Sequence, residues 1–152
     1  MTLESVKKQI YEENLNLEVL EFQESTATVE EAAKAVGVEL GQIAKTMAFK
    51  VKEENILIVA KGDSKIDNRK FKDCFKTKAK MMSSEEVMEI TGHIVGGVCP
   101  FGLKNSIDVY LDESLKEFYE VYPAAGSCNS AVKITIDELE KITNGVWIDV
   151  CK

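Results

Sequence analysis

Apolar residues are spaced at helical intervals at the start of the chain and alternate with polar residues in several later segments. Leu3, Val6 and Ile10 fall on one side of a helix, which predicts an amphipathic opening helix over roughly residues 3–14. Short runs rich in β-branched and aromatic residues predict strands in the rest of the chain. These predicted strands cover residues 17–21, 45–51, 56–60, 107–111, 118–122, 131–134 and 146–150, and residues 78–82 are a candidate for a further strand.

Helix starts are marked by a Ser or Thr that is followed three residues later by Glu, the pattern of a capping box. The pairs are Thr28 with Glu31, Ser83 with Glu86, and Thr135 with Glu138. Each of these predicted helices ends at a glycine that can adopt the left-handed conformation: Gly37, Gly92 and Gly145. Asp67 is the predicted N-cap of a further short helix.

The order of these elements predicts an α+β (mixed α/β) fold. Strands adjoin other strands or short helices without the strict alternation of a βαβ protein. We therefore expect a curved, barrel-like mixed β-sheet of about six or seven strands with peripheral helices. The sequence contains no internal repeat and no linker, so residues 1–152 are expected to form a single domain.

Composition narrows the possible classes of protein. Hydrophobic residues make up 45% of the chain, which is ordinary for a globular protein. No apolar run approaches the ~18 residues of a membrane span, and the first residues lack the apolar region of a signal peptide. A cytoplasmic protein without a membrane partner is therefore expected. The four cysteines have no CxxC spacing and there is one histidine, so we expect free thiols and no structural metal.

The formal net charge of −7 is unevenly distributed along the chain. Residues 61–80 contain eight Lys or Arg and three Asp, a local charge of +5 that leaves −12 for the rest. Lys61, Arg69 and Lys72 are candidates for contacts with nucleic-acid phosphates. The alternative is a solvated helix face, which is the usual role of such a run.

Residues 91–102 combine four glycines and one proline with apolar side chains. This composition predicts a shaped, half-buried loop, which we call the glycine loop, rather than a slack linker. Exposed main-chain N–H groups of such a loop can hold an oxygen-bearing ligand. The alternative is a tight connection between two strands that performs no chemistry.

Lys45 lies at the start of a predicted strand among apolar neighbours. With its aliphatic stem buried, it can present the ammonium at the mouth of a pocket, as a point charge for a phosphate or a carbonyl oxygen. The alternative is a strand-end lysine whose ammonium reaches solvent.

Three linked segments carry a family resemblance: residues 44–46, the glycine loop, and the later turn at Ala125 and Gly126. Their order and separation resemble the YbaK/prolyl-tRNA synthetase-associated editing domain family over nearly the whole chain. The resemblance implies a barrel-like mixed sheet and a free-standing aminoacyl-tRNA deacylase, which hydrolyses the ester between a wrong amino acid and a tRNA. It also implies the acceptor end of an aminoacyl-tRNA as substrate, an aminoacyl-tRNA synthetase as a further partner, and no cofactor.

The resemblance also assigns roles to individual residues. Lys45 matches the lysine that handles the 3′-terminal nucleotide and supports catalysis, and Gly97 belongs to the loop whose main chain positions the ester and a water. No universal side-chain nucleophile is implied. The expected substrate contacts are His93, Gly96, Val98, Pro100, Gly126 and Ser127. The expected tRNA contacts are those that the charge distribution indicates, Lys61, Arg69 and Lys72.

The chain departs from the cysteinyl-tRNA(Pro) deacylase branch at three positions of the late turn. Ala124, Cys128 and Ala131 stand where that branch has Ser, Arg and Asp. The expected substrate is therefore a tRNA charged with alanine or another small residue, on tRNA(Pro) or a related tRNA. Phe22 is a candidate pocket aromatic, with a place in the core as the alternative.

Two further functions remain open from the residues alone. The missing Ser, Arg and Asp and the acidic balance fit a non-catalytic tRNA- or synthetase-binding module of the same fold. Cys99 in the glycine loop, with His93 nearby, fits a thiol-dependent hydrolase or redox protein, and a plain buried cysteine is the alternative. His93 either lines the pocket or satisfies a loop carbonyl, and Ser127 either contacts substrate or makes a local turn hydrogen bond.

Overall fold

Five α-helices and seven β-strands form in the computed structural model, which describes residues 2–152. The helices are α1 (Thr2–Glu12), α2 (Val29–Val36), α3 (Asn68–Phe75), α4 (Ser84–Thr91) and α5 (Ile136–Thr143). The strands are β1 (Glu18–Glu21), β2 (Ile43–Val51), β3 (Glu54–Lys61), β4 (Asp108–Asp112), β5 (Glu120–Pro123), β6 (Ser130–Thr135) and β7 (Val146–Ile148). Two 3₁₀ turns, Leu40–Gln42 and Glu113–Glu117, precede β2 and follow β4.

The strands form one mixed sheet in the order β1-β6-β5-β2-β3-β4-β7. The pairs β1–β6, β6–β5 and β2–β3 are antiparallel, and the pairs β5–β2, β3–β4 and β4–β7 are parallel. The predicted mixed α/β class and number of strands are thus confirmed. The hairpin of β2 and β3 is the longest paired unit and forms the centre of the sheet.

The helix starts lie where the capping boxes predict them. In α2, α4 and α5 the N-cap hydroxyl accepts a hydrogen bond from the third helical N–H, and the Glu at that position reaches back to the N-cap N–H. The helix ends at Gly37 and Gly92 are also confirmed. The third end differs, because Asn144 rather than Gly145 adopts the left-handed conformation, with φ of 54°. Asparagine tolerates this region better than most side chains do.

The predicted strand at 78–82 is wrong in detail. This segment pairs with the second half of β2 only through an isolated bridge between Met81 and Phe49 and two adjacent main-chain hydrogen bonds. The N–H of Lys50 donates to the carbonyl of Lys80 at 2.9 Å, and the N–H of Met82 donates to the carbonyl of Ala48 at 3.0 Å. The segment is therefore an irregular flank of β2.

The core lies on both faces of the sheet. Leu57 and Val59 of β3 face one hydrophobic cluster, and Ile56 and Ile58 face a second cluster that contains Phe71 of α3. Because both faces of β3 are covered, its central residues 56–60 are all apolar rather than alternating with polar residues. No helix within residues 2–152 is both long enough and apolar enough to cross a membrane.

Candidate functional site

An opening in the sheet lies beside the first half of β2. At its start, β2 pairs with β5 through Ile43 and Ala44, and further on it is flanked by the 78–82 segment. Between these two neighbours, the outer edge of residues 45–47 faces a cavity of about 310 Å³, which we call the cleft. The cleft thus exists because β5 and the 78–82 segment both stop short of the middle of β2.

The cleft has walls from five parts of the chain. They are β2, the loop before α2 together with its first turn, residues 81–87, the glycine loop, and residues 122–131 of β5, β6 and the turn between them. Lys45 lies on the β2 wall, while Gly96 and Val98 lie on the wall formed by the glycine loop. The structure therefore brings Lys45 and the glycine loop to the same cavity, although they are about 50 residues apart in sequence.

Lys45 is half-buried, and its ammonium donates a hydrogen bond to the carbonyl oxygen of Ser64. Burial lowers the pKa of Lys45 below its usual value, and the nearby carboxylate of Asp63 opposes this effect only in part. An ammonium has three N–H donors, so two remain for a ligand after Ser64 has taken one. Among the lining residues within 2–152, Lys45 alone carries a charged side chain.

Thr46 adds polar groups that the sequence analysis missed. Its side-chain oxygen is buried and has no hydrogen-bond partner within the described chain. The carbonyl of Ala48 and the N–H of Lys50 bond to the 78–82 segment, so the even-numbered residues of β2 direct their main-chain groups away from β3. The N–H and carbonyl of Thr46 consequently face the cleft. The sequence did contain a signal for this polar group, because Thr46 is the polar residue between Ala44 and Ala48 on one face of the strand.

The two central glycines of the glycine loop have different positions. Gly96 lines the cleft, with φ of 98°. Gly97 is buried behind it, and its N–H donates to the carbonyl of Ile94 at 2.9 Å. A Cβ atom at Gly97 would lie 2.7 Å from the nitrogen of Ser127 and 2.8 Å from the carbonyl carbon of Gly126. Gly97 therefore allows the glycine loop to contact the β5–β6 turn.

The remaining predicted substrate contacts lie beside the cleft rather than on its wall. Pro100 and Gly126 are buried. The hydroxyl of Ser127 donates to Oδ1 of Asn129 at 2.9 Å and lies 2.5 Å from Oγ of Ser130, so its hydrogen bonds are local to the turn. The structure thus places Gly96 and Val98 on the wall, whereas Gly97, Pro100, Gly126 and Ser127 do not line the cavity.

The three late-turn positions that differ from the cysteinyl-tRNA(Pro) deacylase branch lie on the cleft wall or close to the glycine loop. Ala124 and Ala131 both line it, and they form an isolated bridge with each other. Cys128 lies beside the glycine loop, with its Sγ 3.8 Å from the carbonyl oxygen of Val95. Small apolar side chains therefore occupy two wall positions where polar residues were expected for the cysteinyl branch.

His93 is a fully buried residue of the glycine loop and does not line the cleft. Its Nε2 lies 2.6 Å from the carbonyl oxygen of Phe101, and burial lowers the pKa of the imidazole below its usual value. A neutral ring that donates from Nε2 satisfies this contact, and Nδ1 then has no partner among the described residues. The arrangement matches the second sequence interpretation, in which His93 satisfies a loop carbonyl.

His93 should make stability depend on pH. Because its pKa is lowered on folding, the unfolded chain binds more protons once the pH falls below about 6.5, so the free energy of unfolding should decrease from pH 7 to pH 5. His93→Gln keeps a donor for the carbonyl of Phe101 but does not titrate, so its profile should be flatter. Urea midpoints across this range measure the difference; parallel profiles would contradict the assignment, since the sequence has one histidine.

Cys99 and Phe22 also do not line the cleft. Burial raises the pKa of Cys99 to about 12, so the thiol stays protonated and is a poor nucleophile at neutral pH. The thiol-dependent alternative therefore has no structural support. Phe22 is half-buried and its N–H donates to the carbonyl of Asn129 at 2.8 Å. Within residues 2–152, no group of three or more His, Cys, Asp or Glu is arranged to hold a metal ion.

The predicted tRNA contacts fall into two groups. The Lys61 ammonium is paired with the carboxylate of Glu117 and lies 3.6 Å from that of Asp63. Arg69 and Lys72 are exposed on α3 and line a separate hollow of about 520 Å³. The charge of Lys61 is therefore locally compensated, while those of Arg69 and Lys72 remain available.

Comparisons with known proteins identify the family of the chain. A sequence profile for the aminoacyl-tRNA editing domain matches residues 23–142. "Uncharacterized protein YwhH" of Bacillus subtilis (strain 168) is 51% identical, covering 100% of this chain and 98% of that protein. A proline–tRNA ligase of Caldicellulosiruptor bescii is 36% identical over 59% of this chain, which corresponds to 15% of the ligase.

A solved structure has the same fold over almost the full length of both chains. It is described as that of "a putative trans-editing enzyme for prolyl tRNA synthetase", with a TM-score of 0.92 and 32% identity, covering 99% of this chain and 97% of the other. The profile match spans most of the chain and includes both Lys45 and the glycine loop. The chain therefore belongs to the aminoacyl-tRNA editing domain family.

Proposed function

We propose that this protein is an aminoacyl-tRNA deacylase that works in trans and hydrolyses the ester between a small amino acid and tRNA(Pro) or a related tRNA. The observation that supports this most directly is the cleft, in which the ammonium-bearing Lys45 and the glycine loop face one cavity. A substrate of this kind would place the protein in the cytoplasm, where charged tRNAs are used.

The cleft contains groups suited to ester hydrolysis. Water attacks the carbonyl carbon of the ester, negative charge develops on the carbonyl oxygen, and the bond to the ribose oxygen breaks as that oxygen takes up a proton. The Lys45 ammonium and the main-chain N–H of Thr46 are donors that can stabilise the developing charge. An aminoacyl ester is already activated, so holding it beside a water contributes much of the required acceleration.

The proton must be handled without a protein base in the cleft. No carboxylate or imidazole lines it within residues 2–152. The groups left for this step are the substrate's own 2′-hydroxyl, its amino group and water. The role of the protein in this proposal is therefore to position and to stabilise charge, which agrees with the absence of a Ser-His-Asp arrangement.

The cavity volume and the alanines on the wall favour a small, apolar aminoacyl group, although hydroxyl side chains such as that of Thr46 also line the cleft. The cavity of about 310 Å³ is near the lower end of the ~300–1,000 Å³ range of ligand pockets. Ala32, Ala124 and Ala131 line it, and none offers a charge or hydrogen bond to a polar side chain. Alanine fits such a wall better than a polar or an aromatic residue. Editing is needed for such residues because a pocket distinguishes one methylene by only ~1–3 kcal/mol.

The proposal is tested with a panel of mischarged tRNAs and the purified protein, alanyl-tRNA(Pro) first. We expect release of alanine faster than spontaneous hydrolysis, and slower release of polar and aromatic residues from the same tRNA. Equal, uncatalysed rates for every member of the panel would overturn the proposal.

A non-catalytic binding module remains the second candidate. The observations that favour it are the hydrogen bonds already made by the two predicted catalytic groups, Lys45 to Ser64 and Gly97 to Ile94. This candidate requires saturable binding of tRNA without turnover of any aminoacyl ester. The same panel, combined with a measured Kd for tRNA, separates the two candidates.

A further inference from the structure

A strip of unpaired positive charge lies next to the cleft. Residues 69–80 contain six Lys or Arg and a single Asp. Of these cations, Lys70 is paired with Asp149, while the others form no ion pair within the described chain. Those others are Arg69, Lys72, Lys76, Lys78 and Lys80, all exposed, and together we call them the basic strip.

Elsewhere many cations of the protein are neutralised by neighbours. The described chain has ion pairs at Lys7, Lys50, Lys61, Lys116 and Lys133. Other exposed cations without an ion pair in the described chain, such as Lys8 and Lys141, are spread along the sequence, whereas five fall within residues 69–80 of a protein with a net charge of −7. The strip is therefore a local positive field on a negative molecule, which attracts a polyanion.

The basic strip has a concave part. Arg69, Lys72 and Lys78 line the hollow of about 520 Å³ described above, together with Asn68 and Ala79. Three cations and an amide around one concavity are suited to phosphate oxygens, because arginine offers a bidentate fork and lysine a compact charge. No carboxylate within residues 2–152 lines this hollow.

The hollow is connected to the cleft by a short piece of chain. Lys78 lines the hollow and Met81 lines the cleft, and extended chain covers about 10 Å over three residues. The segment between them is held against β2 by the hydrogen bonds of Lys80 and Met82. A distance of this size corresponds to about three nucleotides of a stacked strand at ~3.4 Å each.

The mouth of the cleft offers apolar surface at the end of this path. Met81 is 62% exposed and Val95 is 58% exposed, and both line the cleft. Large apolar side chains so accessible at a cavity mouth commonly mark a contact surface. A nucleobase has an apolar face that such side chains can cover.

We propose that the unpaired 3′ end of the tRNA crosses the protein along residues 78–82, with the terminal aminoacyl nucleoside in the cleft and the preceding phosphates on the basic strip. This inference rests on the proposed function for its substrate. It adds Lys78 and Lys80 to the predicted tRNA contacts Arg69 and Lys72, and it leaves out Lys61, whose charge is compensated by Glu117.

The test compares two substrates with one chemistry, an alanyl-tRNA and the 3′-alanyl ester of adenosine, which has no phosphate. The variant is Lys78→Gln with Lys80→Gln, and the matched control is Lys8→Gln with Lys141→Gln, two exposed lysines on α1 and α5 that line neither cavity. Both double variants change the net charge equally.

We expect kcat/KM for the alanyl-tRNA to fall about tenfold in the strip variant and to be unchanged in the control. Hydrolysis of the adenosine ester should be the same in both. The slope of log kcat/KM against log salt should become shallower by about 1 to 2, since each lost phosphate contact removes about 0.7–0.9. Arg69→Gln with Lys72→Gln should behave like the strip variant.

The inference is overturned if the strip variant matches the control on the alanyl-tRNA, or if it loses the same factor on both substrates. Failure of the proposed function has a different signature, namely that the parent protein hydrolyses neither substrate. In that case the Kd of uncharged tRNA is measured for the parent and for both double variants. A Kd that increases in the strip variant but not in the control supports the inference, and equal Kd values overturn it.

Discussion

Replacing Lys45 by alanine should lower kcat/KM for aminoacyl-tRNA hydrolysis by about 10²–10³-fold, the usual effect of removing one donor from the site that stabilises a developing oxyanion. Lys45 supplies the charged side chain on the cleft wall, and partial burial strengthens its field by excluding water. Single-turnover rates on alanyl-tRNA(Pro) with excess protein measure the loss in the chemical step, while the concentration dependence reports binding.

Two further variants separate charge from packing. Lys45→Met keeps most of the aliphatic stem and removes the ammonium, so it should be as slow as Lys45→Ala. Lys50→Ala removes a lysine from the same strand, where it is paired with Glu86 outside the cleft, and should leave the rate unchanged. Thermal unfolding of each variant checks that the fold is retained. If Lys45→Ala hydrolyses as fast as the parent protein, Lys45 has no catalytic role.

The parts of the fold that were predictable are those with local causes. A capping box is decided within four residues, so the starts of α2, α4 and α5 followed directly from the sequence. The buried β3 was predictable because an apolar run flanked by a turn can be covered on both faces. The end of α5 was not, because Asn144 and Gly145 are both compatible with the left-handed position.

The cleft depends on contacts between distant segments, and the sequence does not contain these in readable form. Residues 78–82 have the composition of a strand, yet they only flank β2 through residues 48–50 and leave residues 45–47 open. That gap exposes the main chain of Thr46. No local pattern indicates where a neighbouring strand stops, so Thr46 was not predicted while Lys45, which carries a family motif, was.

The sequence predicted that the glycine loop is a loop, but it did not predict which of its main-chain groups face the cleft and which bond within the loop. Glycine composition indicates close approach or unusual φ, and it does not say which partner comes close. In the structure Gly96 faces the cleft, whereas the N–H of Gly97 is bonded to Ile94 inside the loop. The same composition therefore supports a ligand-facing residue and a packing residue next to each other.

Gly97→Ala should lower kcat/KM by about 100-fold, because an added methyl would lie within 2.7–3.0 Å of main-chain atoms of Gly126 and Ser127, which cannot rotate away. The glycine loop must then move from the β5–β6 turn, and displacement by about 1 Å at a reacting site costs ~10²-fold. Overpacking should also reduce the free energy of unfolding by about 1–3 kcal/mol. Deacylation rates and urea denaturation measure the two effects.

The matched control for this effect is Gly37→Ala at the end of α2. Its φ of +86° makes alanine strained, yet a Cβ there meets no atom within 4 Å, so stability should fall by about 1 kcal/mol while the deacylation rate is kept. Gly97 has the opposite combination, since its φ is not positive and only the facing main chain forbids a side chain. A Gly97→Ala protein with parental rate and stability would therefore show that the glycine loop and the β5–β6 turn are not packed as described, and that this contact does not position the cleft wall.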